Sequence, residues 1–146
     1  MTSGPQWAAA QDLDVTTLHG LLALRCAVFV VEQACPYLDV DGRDLLPGTV
    51  HGWVTEGDRI VAALRLLALP RATRIGRVAT AADARGRGLA GSLVRGALDR
   101  TRGPVQLDAQ AHLEPWYAGF GFSRSGAPFL EDGIPHVPMR LERAFE

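Results

Sequence analysis

Ala84-Arg85-Gly86-Arg87-Gly88-Leu89-Ala90-Gly91-Ser92-Leu93-Val94 reads as a glycine-rich turn that opens a helix. Small residues at Gly86, Gly88, Ala90 and Gly91 let the backbone turn sharply and come close to a ligand. Leu89, Leu93, Val94, Ala97 and Leu98 then recur at helical spacing. A helix start presents unpaired N–H groups and the positive end of the helix dipole, a setting that suits a pyrophosphate. Arg85 and Arg87 add positive charge at the rim of this cradle. No Gly-Lys-Ser/Thr follows the glycines, which excludes a P-loop. The spacing also departs from the dinucleotide fingerprint, which needs an acidic partner about 20 residues on.

Upstream, Trp7 to Ala10 reads as a first strand, and Asp14 or Thr16 can cap a following helix. Leu18, Leu21, Leu22, Arg25, Cys26, Phe29 and Val30 lie three and four apart, predicting an amphipathic helix over Thr17–Val31 that ends before Pro36. Asp39, Asp41 and Asp44 alternate as in a calcium loop, but the glycine falls at Gly42 and no glutamate closes twelve residues. They are read as an acidic, mobile connection that could still meet a cationic amine. Gly57-Asp58 between His51–Thr55 and Ile60–Leu67 predicts a hairpin. Arg74–Thr80 forms a further strand that leads into the cradle.

Downstream, the cradle helix runs to about Thr101 and ends at Gly103-Pro104. A strand over Val105–Ala109, a short helix through Tyr117, and two strands about Asp132-Gly133 complete the chain. Strands and helices in this order predict an α/β fold with a mixed central sheet, and 146 residues are read as one domain spanning 1–146. A formal charge of −1 gives no basic balance for nucleic acid and no polybasic membrane arm. All fifteen basic residues are arginine. No signal-peptide layout and no apolar run long enough to span a bilayer is read in the sequence, so a cytoplasmic setting is expected. Cys26 and Cys35 are accordingly expected as free thiols. His51, His112 and His136 lack ligand-like spacing, and no metal is expected.

Arg85-x-x-Gly88-x-Ala90 resembles the Arg/Gln-x-x-Gly-x-Gly/Ala motif of the GNAT acyltransferases. Tyr117-Ala118-Gly119-Phe120-Gly121-Phe122, with Gln110 where the family usually has asparagine, resembles their second cofactor motif. Leu24–Gln33, Cys35-Pro36-Tyr37, Asp39-x-Asp41 and Glu131-Asp132-Gly133-Ile134-Pro135-His136 resemble the ElaA-like branch of that family. The stretch before the cradle departs from the family pattern, with Thr80-Ala81-Ala82 in place of Val-x-Pro.

The resemblance implies an acetyl-CoA-dependent N-acetyltransferase of GNAT fold, with acetyl-CoA as acyl donor. In it, Gly86, Arg87, Gly88, Leu89, Ala90, Gly91 and Ser92, with Arg85, hold the pyrophosphate. The backbone of Val78, Ala79 and Thr80 pairs with the pantetheine arm as an added strand. Tyr117 supplies the proton to the departing thiolate. No carboxylate lies in Ile75–Thr80, so the base would be Glu32, Asp108 or His136, directly or through water. Glu32 could instead form a structural ion pair with Arg25, and Trp116 is assigned to the core.

Two other functions compete. Leu24-Arg25-x-x-Val28-Phe29 is also similar to acyl-homoserine-lactone synthases, although the explicit cradle favours CoA over an acyl carrier protein. A CoA-binding module without catalysis is the third reading. A small amine, an aminoglycoside, a peptide N-terminus and a protein lysine all remain as acceptors, and a homodimer is left open.

Overall fold

The structure is a computed structural model describing residues 1–146. Its sheet contains β1 (Gln6–Ala9), β2 (Val50–Glu56), β3 (Arg59–Leu69), β4 (Ala72–Thr80), β5 (Val105–Gln110), β6 (Ser123–Arg124), β7 (Phe129–Glu131) and β8 (Ile134–Leu141). The strand order is β1-β2-β3-β4-β5-β8-β6, with β7 also paired to β8. All neighbours are antiparallel except β4 and β5. Three helices, α1 (Val15–Arg25), α2 (Leu89–Arg100) and α3 (Glu114–Ala118), flank the sheet, giving the mixed α/β GNAT acyl-CoA N-acyltransferase fold.

The hairpin and the cradle helix follow their predicted signals, while several other elements differ. β1 covers Gln6–Ala9 where Trp7–Ala10 is expected, its end set by Ala10 entering a 3-10 turn. Asp14 is the cap of α1, its carboxylate accepting from the Thr17 N–H at 2.7 Å. The helix does not stop at Arg25 but continues through a wider π-helical segment over Cys26–Glu32. Its buried face is Leu21, Leu24, Arg25 and Val28, while Leu18, Leu22, Cys26, Phe29 and Val30 of the expected stripe are half-buried. The expectation of no span-length apolar run fails on composition, since Val15–Glu32 is 18 residues long with mean hydropathy 1.5. In the fold this segment packs on the sheet with Arg25 buried beneath it. β6 carries no sequence pattern and exists only because β8 offers it an edge.

The core lies between the sheet and α2, where Leu93, Val94 and Ala97 meet Val54, Val61, Leu64, Ile75 and Val105. Trp7 joins β1 to this layer. A Cβ added at Gly52 would stand 2.4 Å from its ring, and one at Gly96 only 2.7 Å away. These two glycines make room for the indole.

The segment expected to be a mobile acidic connection is instead anchored. Asp39 and Asp44 are buried, and three arginines converge on them and on Asp41. Arg25 donates to Asp39 at 2.9 Å and to Asp44 at 2.5 Å. Arg65 donates to Asp41 at 3.0 Å and Asp44 at 3.1 Å. Arg77 lies 2.9 Å from Asp39 and donates to Asp41 at 3.2 Å. Tyr37 donates its hydroxyl to Asp39 at 2.5 Å. His51 Nε2 donates to the Asp44 carbonyl at 2.9 Å, since a carbonyl can only accept. The expected Glu32–Arg25 pair is therefore absent, because Arg25 is fully engaged elsewhere.

Removing one partner would leave buried charge uncompensated, so Arg25→Met is expected to cost about 3–5 kcal/mol of stability, read as a lower denaturant midpoint. Acid acts on the same cluster. Burial alone would raise the Asp41 carboxyl, but hydrogen bonds from Arg65 and the Arg43 backbone N–H hold it at about 2, below the ordinary 3.8. Asp44 is likewise lowered, its burial outweighed by hydrogen bonds and charge from Arg25 and Arg65. Burial lowers His51 below its ordinary 6.5. All three bind protons more readily when unfolded, so stability falls as pH falls. Melting temperatures should decline first below about pH 6.5 through His51 and again below about pH 4 through the carboxylates. His51→Gln should flatten the first decline.

Candidate functional site

β4 and β5 pair only at Thr73 with Val105 and Arg74 with Gln106, then diverge. β5 turns its other edge to β8 along its whole length, while β4 pairs with β3. The divergence opens a cleft of about 1070 Å³ between them, at the upper limit of the roughly 300–1,000 Å³ typical of ligand sites. A bulge in β4 sets its inner wall. Arg77 has φ +53°, a left-handed value unusual for a residue with a side chain, and the register with β3 slips between Ala63 and Arg65. Val78, Ala79 and Thr80 line the cleft just beyond this bulge.

The cradle closes one end. Gly86 and Gly88 have φ of +79° and +75°, and a Cβ at either would meet nothing within 4 Å. Glycine is thus required there for the turn, and the space above it is open. Gly88 caps α2 without any side-chain hydrogen bond, so the first N–H groups of the helix face the cleft without a capping side chain. Gly86, Gly88, Leu89, Ala90 and Gly91 line it.

The arginines at the rim are already engaged. Arg85 makes a two-pronged ion pair with Glu32, both contacts 2.7 Å, and donates to the Thr80 carbonyl at 3.0 Å. Arg87 pairs with Glu56 at 2.5 Å and donates to the Asp83 carbonyl. Ser92 turns its hydroxyl back to the Gly88 carbonyl. Next to Glu32, Gln33 exchanges amide hydrogen bonds with Gln110. The end of the π-helical segment therefore reaches both walls, Glu32 to the cradle and Gln33 to β5.

Three carboxyl or imidazole groups were candidate bases, and their surroundings separate them. Hydrogen bonding from Arg85 lowers the Glu32 carboxyl below its ordinary value, which stabilises its unprotonated form and weakens it as a base. Asp108 is closed into an ion pair with Arg74. His136 is different. Its Nδ1 lies 2.7 Å from the Ile134 carbonyl, which fixes the proton on Nδ1 and leaves Nε2 with a lone pair. The ring stacks on Phe129 and lines the cleft, with Glu131 3.9 Å from Nε2.

Tyr117 stands on α3, 5% exposed and lining the same cleft. Burial raises its hydroxyl above the ordinary 10.0, with no hydrogen bond contributing, so it stays protonated at neutral pH. Edge contacts with Trp116 and Phe122 hold the ring. Trp116 itself is 38% exposed and lines the cleft, so its expected place in the core is corrected. The ring of a helix only five residues long has one face on the sheet, and Tyr117 takes it.

Sequence reading did not single out Gln33, Arg74 or Arg95, all of which line the cleft. For Arg95 a signal exists, since it lies four residues after Gly91 on one helix face. Gln33 and Gln110 are 77 residues apart and no local pattern joins them. Cys26 and Cys35 are free thiols as expected, Cys35 buried with its Sγ 3.4 Å from the Asp132 carbonyl.

Residues 27–143 match the family model described as an acetyltransferase (GNAT) domain. A UPF0039 protein of Mycobacterium tuberculosis is 48% identical over 95% of this chain and 93% of its own. Among solved structures, an acyl-CoA N-acyltransferase from Pseudomonas aeruginosa superposes with a TM-score of 0.91 at 40% identity, covering 97% of this chain and 99% of that one. Escherichia coli ElaA superposes with a TM-score of 0.90 at 39% identity, covering 97% and 100%. With the domain match spanning most of its length and these relatives covering nearly all of it, the chain belongs to the GNAT acetyltransferase family, in its ElaA-like branch.

Proposed function

We propose that the protein is a cytoplasmic acetyl-CoA-dependent N-acetyltransferase that passes the acetyl group directly to a primary amine while both substrates are bound. The observation that carries this reading is the splay of β4 from β5, which ends at the uncapped N-terminus of α2. An extended chain laid along Val78, Ala79 and Thr80 would deliver its phosphates to that terminus, where backbone N–H groups and the helix dipole meet them.

Two side chains supply the proton chemistry. His136 Nε2 accepts the proton that the amine loses as its nitrogen bonds to the thioester carbon. Tyr117, kept protonated by burial, donates to the sulfur as the carbon–sulfur bond breaks. The proton on His136 then returns to the tyrosinate through solvent, so the protein ends unchanged. Arg74 and Arg85 engage Asp108 and Glu32, which leaves the His136 imidazole as the candidate base without an arginine partner.

Calorimetric titration with acetyl-CoA, octanoyl-CoA and free CoA tests the reading. Acetyl-CoA should bind, and thiol release should follow when amines are supplied. Preference for octanoyl-CoA would favour the lactone-synthase reading, binding without turnover on any amine would favour a non-catalytic module, and no binding would overturn the assignment. Tyr117→Phe should lower kcat by roughly 10²–10⁴-fold with CoA affinity retained. His136→Gln should lower kcat similarly, with CoA affinity retained. Arg85→Glu sets a second carboxylate beside Glu32 at the cradle rim and should weaken CoA binding by about 1.5–3 kcal/mol.

A further inference from the structure

The cradle presents less free charge than its sequence suggests. Arg85 and Arg87 are each closed onto a glutamate, and Arg74 is closed onto Asp108. Arg95 is the cation at this end of the cleft that meets no carboxylate. Its guanidinium lies over the Phe120 ring, 5.7 Å from the centroid. Its Nη2 is 3.5 Å, and Phe120 Cζ 3.6 Å, from the point where a Cβ of Gly91 would stand. Those are ordinary van der Waals distances, so Arg95 and Phe120 meet directly beside the backbone of Gly91. Phe120 is itself fixed by an edge contact with Trp116, ring centroids 5.0 Å apart.

This position is on the flank of α2, not ahead of its N-terminus. The N–H groups that would face a pyrophosphate point along the helix axis. A ligand whose pyrophosphate sits there and whose chain continues past it would bring its next charged group to the side of the first turn, where Arg95 and Phe120 wait. In CoA that group is the 3′-phosphomonoester of the ribose, beside a base able to lie against an aromatic edge. A planar, permanently charged guanidinium suits a phosphomonoester through paired N–H donors.

We propose that Arg95 binds the 3′-phosphate of CoA and makes the protein select CoA over 3′-dephospho-CoA. The proposal rests on the CoA reading above and adds the residue that discriminates between the two forms. Calorimetric affinities of the wild-type protein, Arg95→Gln and Arg95→Lys for CoA and 3′-dephospho-CoA test it. The wild type should prefer CoA by on the order of tenfold, as loss of one charge-assisted contact implies. Arg95→Gln should bring the two affinities together by weakening CoA alone, and Arg95→Lys should restore part of the preference.

Equal wild-type affinity for both forms overturns the proposal and leaves the CoA reading standing, because binding is still seen. A preference that survives in Arg95→Gln assigns the discrimination to another residue and also overturns it. Equal weakening of both forms in Arg95→Gln would move the contact to the pyrophosphate, against the proposal. Failure of the wild type to bind either form would sink both readings together. Arg95 is exposed on α2, and an unchanged melting temperature in the two variants separates these outcomes from misfolding.

Discussion

Three arginines facing three aspartates beneath the end of the first helix are the arrangement on which the rest of this protein depends. Arg25 comes from α1, Arg65 from β3 and Arg77 from β4, while Asp39, Asp41 and Asp44 all come from the irregular segment between α1 and β2. That segment has no ladder of its own, so its backbone is placed by ion pairs and by the contacts of Tyr37 and His51. Buried charges of this kind contribute little net stability over an apolar core, yet they tolerate no missing partner. Their consequence is positional. The helix, the loop and the two central strands are locked in one relative arrangement, and the far end of the helix, carrying Glu32 and Gln33, is thereby set over the cleft.

The same cluster bears on the shape of β4. Arg77 occupies a left-handed backbone conformation, at some cost for a residue with a side chain. Its guanidinium contacts Asp39 and Asp41 and lies over the Tyr37 ring. These contacts and the bulge occur at one residue, so the irregular strand and the buried charges support each other. From Ile75 onward β4 has no partner on its β5 side, and the cleft follows from that separation.

Electrostatics in the cleft are set by pairing more than by the number of charges. Glu32, Asp41 and Asp108 each meet an arginine, and for Glu32 and Asp41 hydrogen bonds from an arginine help hold the carboxyl below its ordinary value. His136 and Tyr117 also line the cleft, the first held through Nδ1 by the Ile134 carbonyl and the second buried without a hydrogen bond. The sorting is complementary, for the arginines that restrain the acids are themselves restrained. At the cradle, Arg85 and Arg87 are paired with glutamates, while the guanidinium of Arg95 lies over the Phe120 ring.

Much of the fold was legible because its signals are local. The glycine-rich turn, the hairpin at Gly57-Asp58, the Asp14 cap and the apolar rhythm of α2 depend on residues a few positions apart, and the structure has them where the pattern puts them. The family resemblance was carried by equally compact motifs, and it named Tyr117 and His136 for the same reason. What the sequence could not convey is pairing at a distance. Asp39, Asp41 and Asp44 look like a solvated acidic loop until Arg65 and Arg77, far along the chain, are brought against them. Glu32 looks like a lone carboxylate until Arg85 closes on it from 53 residues away, and Trp116 looks like core until Tyr117 takes the inward face of a five-residue helix. Local backbone preference and hydrophobic period are written in neighbouring residues, whereas the protonation and freedom of a charged side chain depend on which opposite charge the folded chain places beside it.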